Sequence, residues 1–168
     1  MIDISTKHYA GFMPNDLIDG KNISVSFWTQ GCPFHCKGCH NPESWDFNAG
    51  YKVPENIYER IKEAIFANGF MRNFSVLGGE PMCDENIELT HNIVHFVRSL
   101  SNDIKIFLWS GYTHEELVKK SKDNNLIKEI LKDINYLIDG QFEEENMSRT
   151  LYLRGSTNQK IIENPGEF

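Results

Sequence analysis

The sequence lacks any long apolar run. No stretch of its 168 residues approaches the roughly 20 consecutive apolar residues that a membrane-spanning helix needs. The opening residues, MIDISTKHYAGFM, also lack the apolar segment of a secretory signal peptide. We therefore expect a cytoplasmic protein with no membrane partner. Repeats, low-complexity tracts and linkers are missing as well, so we expect residues 1–168 to form a single domain.

Basic residues are in short supply. Lys and Arg number 17 against 24 Asp and Glu, which gives a formal net charge of −7 at pH 7. Nucleic-acid-binding domains usually carry a basic stripe that pairs with phosphates, so the acidic balance predicts no nucleic-acid partner. With 40% hydrophobic and 24% charged residues, the composition is otherwise that of a globular protein with a buried core.

Cysteine is scarce, yet three of the four cysteines are clustered. Cys32, Cys36 and Cys39 form a C-x3-C-x2-C run, which is too tight for a usual disulfide framework and is more typical of a metal or redox site. Iron–sulfur clusters take thiolate ligands, normally four. Three thiolates would leave one iron of a four-iron cluster without a protein ligand, and a catalytic metal needs such an open position. The count therefore favours a reactive [4Fe–4S] cluster over simple electron storage.

Two plainer interpretations stay open. A zinc site could use the three cysteines with His35 or His40, although structural zinc sites commonly have a second, more distant pair of ligands that this sequence lacks. Cys83 stands apart and is most simply a small buried hydrophobic residue, the commonest role of a free cysteine. Ligation of the fourth iron by Cys83 would count against an open iron.

Short apolar runs alternate with helical periodicity along the chain. Strands are predicted at residues 23–28, 74–77, 104–109 and 136–138. Apolar spacing predicts helices between them, one with Asp84 as its N-cap and one with a capping box at Thr113 and Glu116. A last possible strand lies at residues 151–153, and a polar, loosely held tail is expected after it.

This alternation predicts an α/β fold with a mainly parallel sheet and covering helices. Each predicted strand runs into a loop marked by glycine or polar residues. The loops span residues 31–42, 78–83, 109–112 and 139–142. Loops that follow parallel strands gather at one edge of a sheet or barrel, where ligands bind. The four loops therefore predict one site assembled from four pieces.

A second motif, Gly78-Gly79-Glu80-Pro81, follows the second predicted strand. Glycines let the main chain approach a ligand, a carboxylate pairs with a cation, and proline restrains the residue before it. The cysteine run after the first strand and this segment after the second together resemble the radical S-adenosylmethionine superfamily. The resemblance implies a [4Fe–4S] cluster, S-adenosyl-L-methionine as cosubstrate, and a shortened, open (β/α) barrel of the TIM type.

Further segments resemble one branch of that superfamily, the activating proteins of anaerobic ribonucleoside-triphosphate reductase. These segments are residues 40–45, 109–112, 139–142 and 154–159, the last reading RGSTNQ. The branch resemblance implies reductive cleavage of S-adenosylmethionine to methionine and a 5′-deoxyadenosyl radical, which generates a glycyl radical on the large reductase subunit. It also implies reduced flavodoxin or a similar electron donor. The cluster and the cosubstrate would perform this chemistry, so no side chain is predicted to be catalytic.

By the same resemblance, Cys32, Cys36 and Cys39 ligate the cluster. The predicted cosubstrate contacts are Gly38, Cys39, His40, Gly78, Gly79 and Glu80. Ser110 and Arg154 are weaker candidates for contact with the cosubstrate or the partner. Superfamily members often carry an aromatic residue before the third cysteine, where this chain has Gly38, so adenine stacking would fall to His40 or another side chain.

Two other functions are compatible with the cysteine run. The chain could activate a different glycyl radical enzyme, although the segment at residues 154–159 favours the reductase. It could instead be a non-enzymatic iron–sulfur electron carrier, although a carrier would favour a fourth ligand in a regular position.

Overall fold

The computed structural model describes residues 3–168, and over that range the chain forms seven strands and four α-helices. The strands are β1 (His8–Asp16), β2 (Ser24–Thr29), β3 (Tyr51–Lys52), β4 (Asn73–Gly78), β5 (Ile106–Ser110), β6 (Tyr136–Asp139) and β7 (Lys160–Glu163). The helices are α1 (Ile57–Ile65), α2 (Ile87–Leu100), α3 (His114–Lys120) and α4 (Asn125–Asp133). None of the helices in this range is long and apolar enough to cross a membrane.

All seven strands belong to one sheet in the order β3-β1-β2-β4-β5-β6-β7. Its central strands, β2, β4, β5 and β6, pair in parallel, as the alternation of strands and helices predicts. The outer pairs, β3 with β1, β1 with β2 and β6 with β7, are antiparallel. The predicted α/β fold is therefore confirmed, and parallel pairing is confined to the centre of the sheet.

The sequence patterns do not predict β1 or β3. β1 contains Gly11 and Pro14, which disfavour a regular strand, and its register against β2 shifts between Tyr9 and Gly11 and again between Met13 and Asp16. Irregularities of this kind are common toward the edges of sheets. β1 is held by pairing with β2, a contact that a short window of sequence does not reveal.

The end of the chain is held in the sheet, contrary to the prediction of a loose tail. The strand predicted at residues 151–153 is also wrong, because these residues bend and Leu153 has a φ of +57°. The last strand lies further along the chain. It is β7, which pairs with β6 and supplies hydrogen-bond partners to the backbone groups along the outer edge of β6. Beyond β7, the Pro165 carbonyl accepts a 2.7 Å hydrogen bond from His114 Nε2.

The helices follow the predicted apolar spacing. α1 buries Ile57, Ile61, Ala64 and Ile65, and α4 buries Ile127, Ile130 and Leu131. α3 begins with the predicted capping box, in which Thr113 Oγ1 accepts from Glu116 N and the Glu116 carboxylate accepts from Thr113 N. Local sequence therefore determines where α3 begins.

The start of α2 is determined by loop contacts. Its predicted N-cap, Asp84, is wrong by two positions, because Asn86 precedes the first helical residue. Asn86 Nδ2 donates to the carbonyl oxygen of Gly31, at the start of the cysteine loop, and to that of Glu80, earlier in its own loop. The side chain thus connects the helix start to the candidate site and makes no capping bond within the helix.

The two faces of the sheet have different neighbours. Successive side chains of a strand point to opposite faces. Phe74, Val76, Ile106, Leu108 and Leu137 pack into one apolar core with residues of α1, α2 and α4. Leu77, Trp109 and Ile138, which occupy the alternate positions, line a cavity. The helices therefore cover one face, and the other face leads to the candidate site.

Candidate cofactor site

A cavity of about 600 Å³ lies where the parallel strands end. Its walls include the loops that follow the four central strands: the cysteine run after β2, Gly78–Glu80 at the end of β4, Ser110 and Gly111 at the end of β5, and Gly140–Phe142 after β6. The four loops therefore line one cavity, as the sequence predicts. The volume falls within the range of roughly 300–1,000 Å³ found for small-molecule sites.

The cysteine loop is closed by its own backbone. Cys32 N donates to the Trp45 carbonyl oxygen at 3.1 Å, and Cys39 N donates to the Cys36 carbonyl oxygen at 3.1 Å. The His35 ring stacks on Trp45 with centroids 4.6 Å apart, which fixes the middle of the loop. All three thiols are free and partly buried, and their residues line the cavity.

Burial and backbone N–H groups act on these thiols in opposite directions. Burial raises the pKa of Cys32 and of Cys36, because poorly hydrated surroundings disfavour a thiolate. The Phe142 N–H, from the loop after β6, opposes this effect on the pKa of Cys36. The Asn41 N–H donates to Cys39 Sγ at 3.4 Å. Donors of this kind stabilise the negative sulfur of an iron-bound thiolate, so the loop is chemically suited to an iron–sulfur cluster.

The arrangement of the donors suits a cluster better than a single ion. Among residues 3–168, no three His, Cys, Asp or Glu side chains are grouped to hold one metal ion. A [4Fe–4S] cluster does not need such convergence, because each thiolate binds a different iron. The two histidine rings proposed for a zinc site pack on aromatic neighbours. His35 stacks on Trp45, and the ring centroids of His40 and Phe142 are 5.2 Å apart. Trp45 Nε1 is buried and, within the described chain, lacks a hydrogen-bond partner, which leaves it available to a bound group.

Gly78 and Gly79 allow a close approach of two loops. Gly79 N donates to the Thr29 carbonyl oxygen at 2.9 Å, and Glu80 N donates to the Gly31 carbonyl oxygen at 2.8 Å. A Cβ on Gly79 would lie 2.2 Å from that Gly31 oxygen, and Gly78 has a φ of +106°. The glycines therefore bring the end of β4 against the cysteine loop, a role that the sequence interpretation did not include.

The Glu80 carboxylate joins the loops after β4 and β5. Its Oε1 accepts from Ser110 Oγ at 2.7 Å and from Met82 N at 2.9 Å, and its Oε2 accepts from Gly111 N at 2.6 Å. Burial raises the pKa of Glu80 to about 7, although these three donors act to lower it. The side chain, only 1% exposed, is thus held rigidly at the cavity wall.

The loop after β6 packs against the cysteine loop. Phe142 contacts His40, and Lys37 Nζ lies 3.1 Å from Glu144 Oε2. Gly38 has a φ of +74°, and a Cβ at this position would lie 3.0 Å from Glu144 Oε1. The missing side chain at Gly38 therefore makes room for this neighbouring loop.

Five of the predicted cosubstrate contacts line the cavity: Cys39, His40, Gly78, Gly79 and Glu80. Gly38 lies outside the lining, next to Glu144, and its contact with a cosubstrate stays a prediction. Ser110 and Arg154 also line the cavity. Cys83 is buried away from it, its thiol donates to the Glu80 carbonyl oxygen at 3.1 Å, and burial raises its pKa to about 12. The interpretation of Cys83 as a small buried residue is thereby supported.

Sequence reasoning assigned no role to one wall of the cavity, residues 17–20 between β1 and β2, because Asp19-Gly20 departs from the pattern of the similar family. Leu17 and Ile18 are exposed there, and burial next to Asp16 raises the pKa of Asp19 to about 7. Ser75 Oγ, on β4, donates to the Asp19 carbonyl oxygen at 2.5 Å and attaches this segment to the sheet. The one signal in the sequence was the apolar pair Leu17 and Ile18 between Asp16 and Asp19. This pattern does not indicate a cavity wall unless the position of β1 is known.

Comparison with known proteins assigns the chain to a family. The 4Fe-4S single cluster domain family matches residues 18–162. The anaerobic ribonucleoside-triphosphate reductase-activating proteins of Pasteurella multocida (strain Pm70) and Haemophilus influenzae are each 32% identical over 155 residues, covering 92% of this chain and 96% of each relative. The protein of the same name from Enterobacteria phage T4 is 27% identical over 157 residues and 94% of each chain. The resemblance drawn from the motifs is therefore confirmed, and the chain belongs to the family of anaerobic ribonucleoside-triphosphate reductase-activating proteins.

Proposed function

We propose that this protein activates anaerobic ribonucleoside-triphosphate reductase by generating a glycyl radical on its large subunit. When bound, a [4Fe–4S] cluster would supply one electron to S-adenosylmethionine, whose reductive cleavage gives methionine and the 5′-deoxyadenosyl radical that removes a hydrogen atom from glycine. The observation that carries the proposal is that the three cysteines and the Gly78–Glu80 segment line one cavity, in a chain whose relatives are named as activators of this reductase.

Cys32, Cys36 and Cys39 would hold the cluster and leave one iron free for the cosubstrate. This assignment is supported by their exposure to one cavity and by the N–H donors near Cys36 and Cys39. Cys83 is a poor fourth ligand, because its thiol is bonded to the Glu80 carbonyl and lies outside the cavity. An iron without a protein ligand suits cosubstrate binding better than electron storage.

The cosubstrate contacts are assigned by the same reasoning. Gly78, Gly79 and Glu80 would receive the methionine ammonium group, and the Glu80 carboxylate favours a cation nearby. His40 would contact the adenine ring, because it lines the cavity and already packs on the Phe142 ring. Gly38 and Cys39 complete the predicted contacts in the cysteine loop.

The partner glycine has to reach this cavity from outside. The placement of α1, α2 and α4 on the opposite face of the sheet supports a shortened, open (β/α) barrel with its mouth free for a partner loop. Leu17 and Ile18, which are 75% and 81% exposed, border the cavity and offer apolar contact area to such a loop. Reduced flavodoxin or a similar carrier would supply the electron.

The test is an anaerobic assay for 5′-deoxyadenosine after reconstitution with iron and sulfide, reduction, and addition of S-adenosylmethionine. The wild-type protein is expected to form the product, and Cys36→Ala is expected to form none above background, because one cluster ligand is lost. Cys83→Ala is the matched control and should retain product formation, since Cys83 lies outside the cavity. A fully loaded, reducible cluster that never cleaves the cosubstrate would identify an electron carrier and overturn the proposal.

A further inference from the structure

Arg154 occupies a fixed position in the cavity wall, in the segment between β6 and β7. Trp109 Nε1 donates to the Leu153 carbonyl oxygen at 2.8 Å, which anchors the chain immediately before Arg154 to β5. Immediately after it, Gly155 N donates to Gln159 Oε1 at 2.8 Å. The backbone at Arg154 is therefore held from both sides, and its side chain lines the cavity.

The Arg154 guanidinium has unused hydrogen-bonding capacity. Arg154 Nη1 donates to the Gln159 carbonyl oxygen at 3.2 Å, whereas Nε is buried and has no partner within residues 3–168. No acidic side chain of the described chain forms an ion pair with Arg154. A buried, unpaired N–H of a cationic group is unfavourable, so these atoms suit an anionic acceptor supplied by a ligand.

The charges around the cavity match those of the proposed cosubstrate. Among the described lining residues, Asp19 and Glu80 are the acidic side chains, and Arg154 is the one with a permanent positive charge. S-adenosylmethionine carries two cationic groups, the sulfonium and the ammonium, and one carboxylate. The two acidic side chains suit the cations, which leaves Arg154 for the carboxylate.

The position of Arg154 relative to the cysteine loop is consistent with this pairing. The next residue, Gly155, packs so closely on Phe142 that a Cβ there would lie 3.0 Å from the Phe142 ring. Phe142 in turn contacts His40, next to Cys39. A carboxylate has two acceptor oxygens, so it can take hydrogen bonds from two guanidinium N–H groups.

We propose that Arg154 binds the methionine carboxylate of S-adenosylmethionine through Nε–H and a second guanidinium N–H, and so selects a cosubstrate that has this group. The proposal rests on the function proposed above and adds a binding residue to it. Arginine presents two parallel donors to a carboxylate, a geometry that lysine cannot reproduce. Arg154 therefore determines affinity and ligand choice.

The experiment compares two ligands on the oxidised, cluster-loaded protein, in which no cleavage occurs. Equilibrium dialysis with radiolabelled S-adenosylmethionine and with decarboxylated S-adenosylmethionine gives a dissociation constant for each. Arg154→Gln is expected to weaken S-adenosylmethionine binding about 10- to 100-fold, the range for losing a charged, two-point hydrogen-bonded pair. It should change binding of the decarboxylated ligand by less than about threefold, because that ligand has no carboxylate to lose. Arg154→Lys should recover part of the loss.

Arg149→Gln is the matched control, since Arg149 is exposed in the same segment and lies outside the cavity lining. It should bind both ligands as the wild type does. An equal loss for both ligands in Arg154→Gln would indicate a general structural defect and overturn the inference, as would unchanged binding of both. Failure of the wild-type protein to bind S-adenosylmethionine at all would overturn the proposed function itself, which separates the two hypotheses.

Discussion

Glu80 places a buried carboxyl group at the junction of two cavity loops. Burial raises its pKa to about 7 from the ordinary value of 4.5, so between these values the folded chain holds a proton that the unfolded chain has released. The contribution of Glu80 to stability is therefore complete below about pH 4.5 and is lost as the pH rises through about 7. The pKa of Asp19 is raised to about 7 as well, so its contribution to the stability of the fold is also lost as the pH rises.

We predict that the free energy of unfolding of the cluster-free protein falls as the pH rises from about 5 to about 7.5, with a contribution from Glu80 on the order of 1–3 kcal/mol. Glu80→Gln removes the titrating group and should flatten this slope, whatever its effect on absolute stability. Urea unfolding at a series of pH values measures the slope. Glu145→Gln, at an exposed carboxylate, should leave it unchanged. An undiminished slope in Glu80→Gln would count against the buried titration.

Residues of the site differ in how well the sequence predicts them. The cysteine run is recognisable because one short loop supplies all of the predicted ligands. Arg154 is harder to assign, because its meaning depends on an unpaired Nε that only the folded chain shows. Asp19 was given no role, since its place in the cavity wall depends on β1, which the patterns do not predict. Gly79 lines the cavity, but its close neighbour is the Gly31 carbonyl, a contact that the sequence interpretation did not include.

At the scale of elements, the turn before β7 is organised by one side chain. Gln159 Oε1 accepts from Gly155 N at 2.8 Å and from Ser156 N at 3.1 Å, and Gln159 Nε2 donates to the Gly140 carbonyl oxygen at 2.9 Å. These bonds attach the segment that carries Arg154 to the loop after β6. The turn can therefore keep the cavity wall rigid without help from regular secondary structure.

We predict that Gln159→Ala loosens this turn while the sheet stays intact. Loss of three hydrogen bonds at about 0.5–1.5 kcal/mol each should raise the hydrogen-exchange rates of the Gly155 and Ser156 amides at least tenfold. Hydrogen exchange followed by NMR measures these amides together with those of β6. Thr157→Ala, at an exposed position in the same turn, should leave all of them at wild-type rates. Unchanged exchange in Gln159→Ala would mean that other contacts hold the turn.

The elements predicted from sequence are those whose formation depends on local patterns. The four parallel strands and α1, α3 and α4 follow from apolar periodicity and from the capping box at Thr113. The strands β1, β3 and β7 are held by pairing with other strands, and their polar or irregular sequences give no local signal of this pairing. The helix α2 begins after Asn86 and not after the predicted cap Asp84, and Asn86 bonds to the Gly31 carbonyl of the cysteine loop, a contact that local sequence does not reveal.

At the scale of the whole molecule, the sheet lies between the apolar core and the cavity. Helices α1, α2 and α4 share the apolar core on one face, and the loops after the parallel strands surround the cavity. A partner loop can therefore approach the cavity without disturbing the core. Antiparallel strands flank the parallel centre, β1 and β3 on one side and β7 on the other, which the prediction of a mainly parallel sheet did not include.

The most direct test of the proposed function is transfer of the radical to the reductase. The reconstituted protein, a reductant, S-adenosylmethionine and the large anaerobic reductase subunit are mixed anaerobically and examined by electron paramagnetic resonance. We predict a glycyl radical signal on the reductase with the wild-type protein and with Cys83→Ala, and none with Cys36→Ala. A loaded, reducible cluster that yields 5′-deoxyadenosine but no radical on the reductase, while another glycyl radical enzyme acquires one, would contradict the proposed partner.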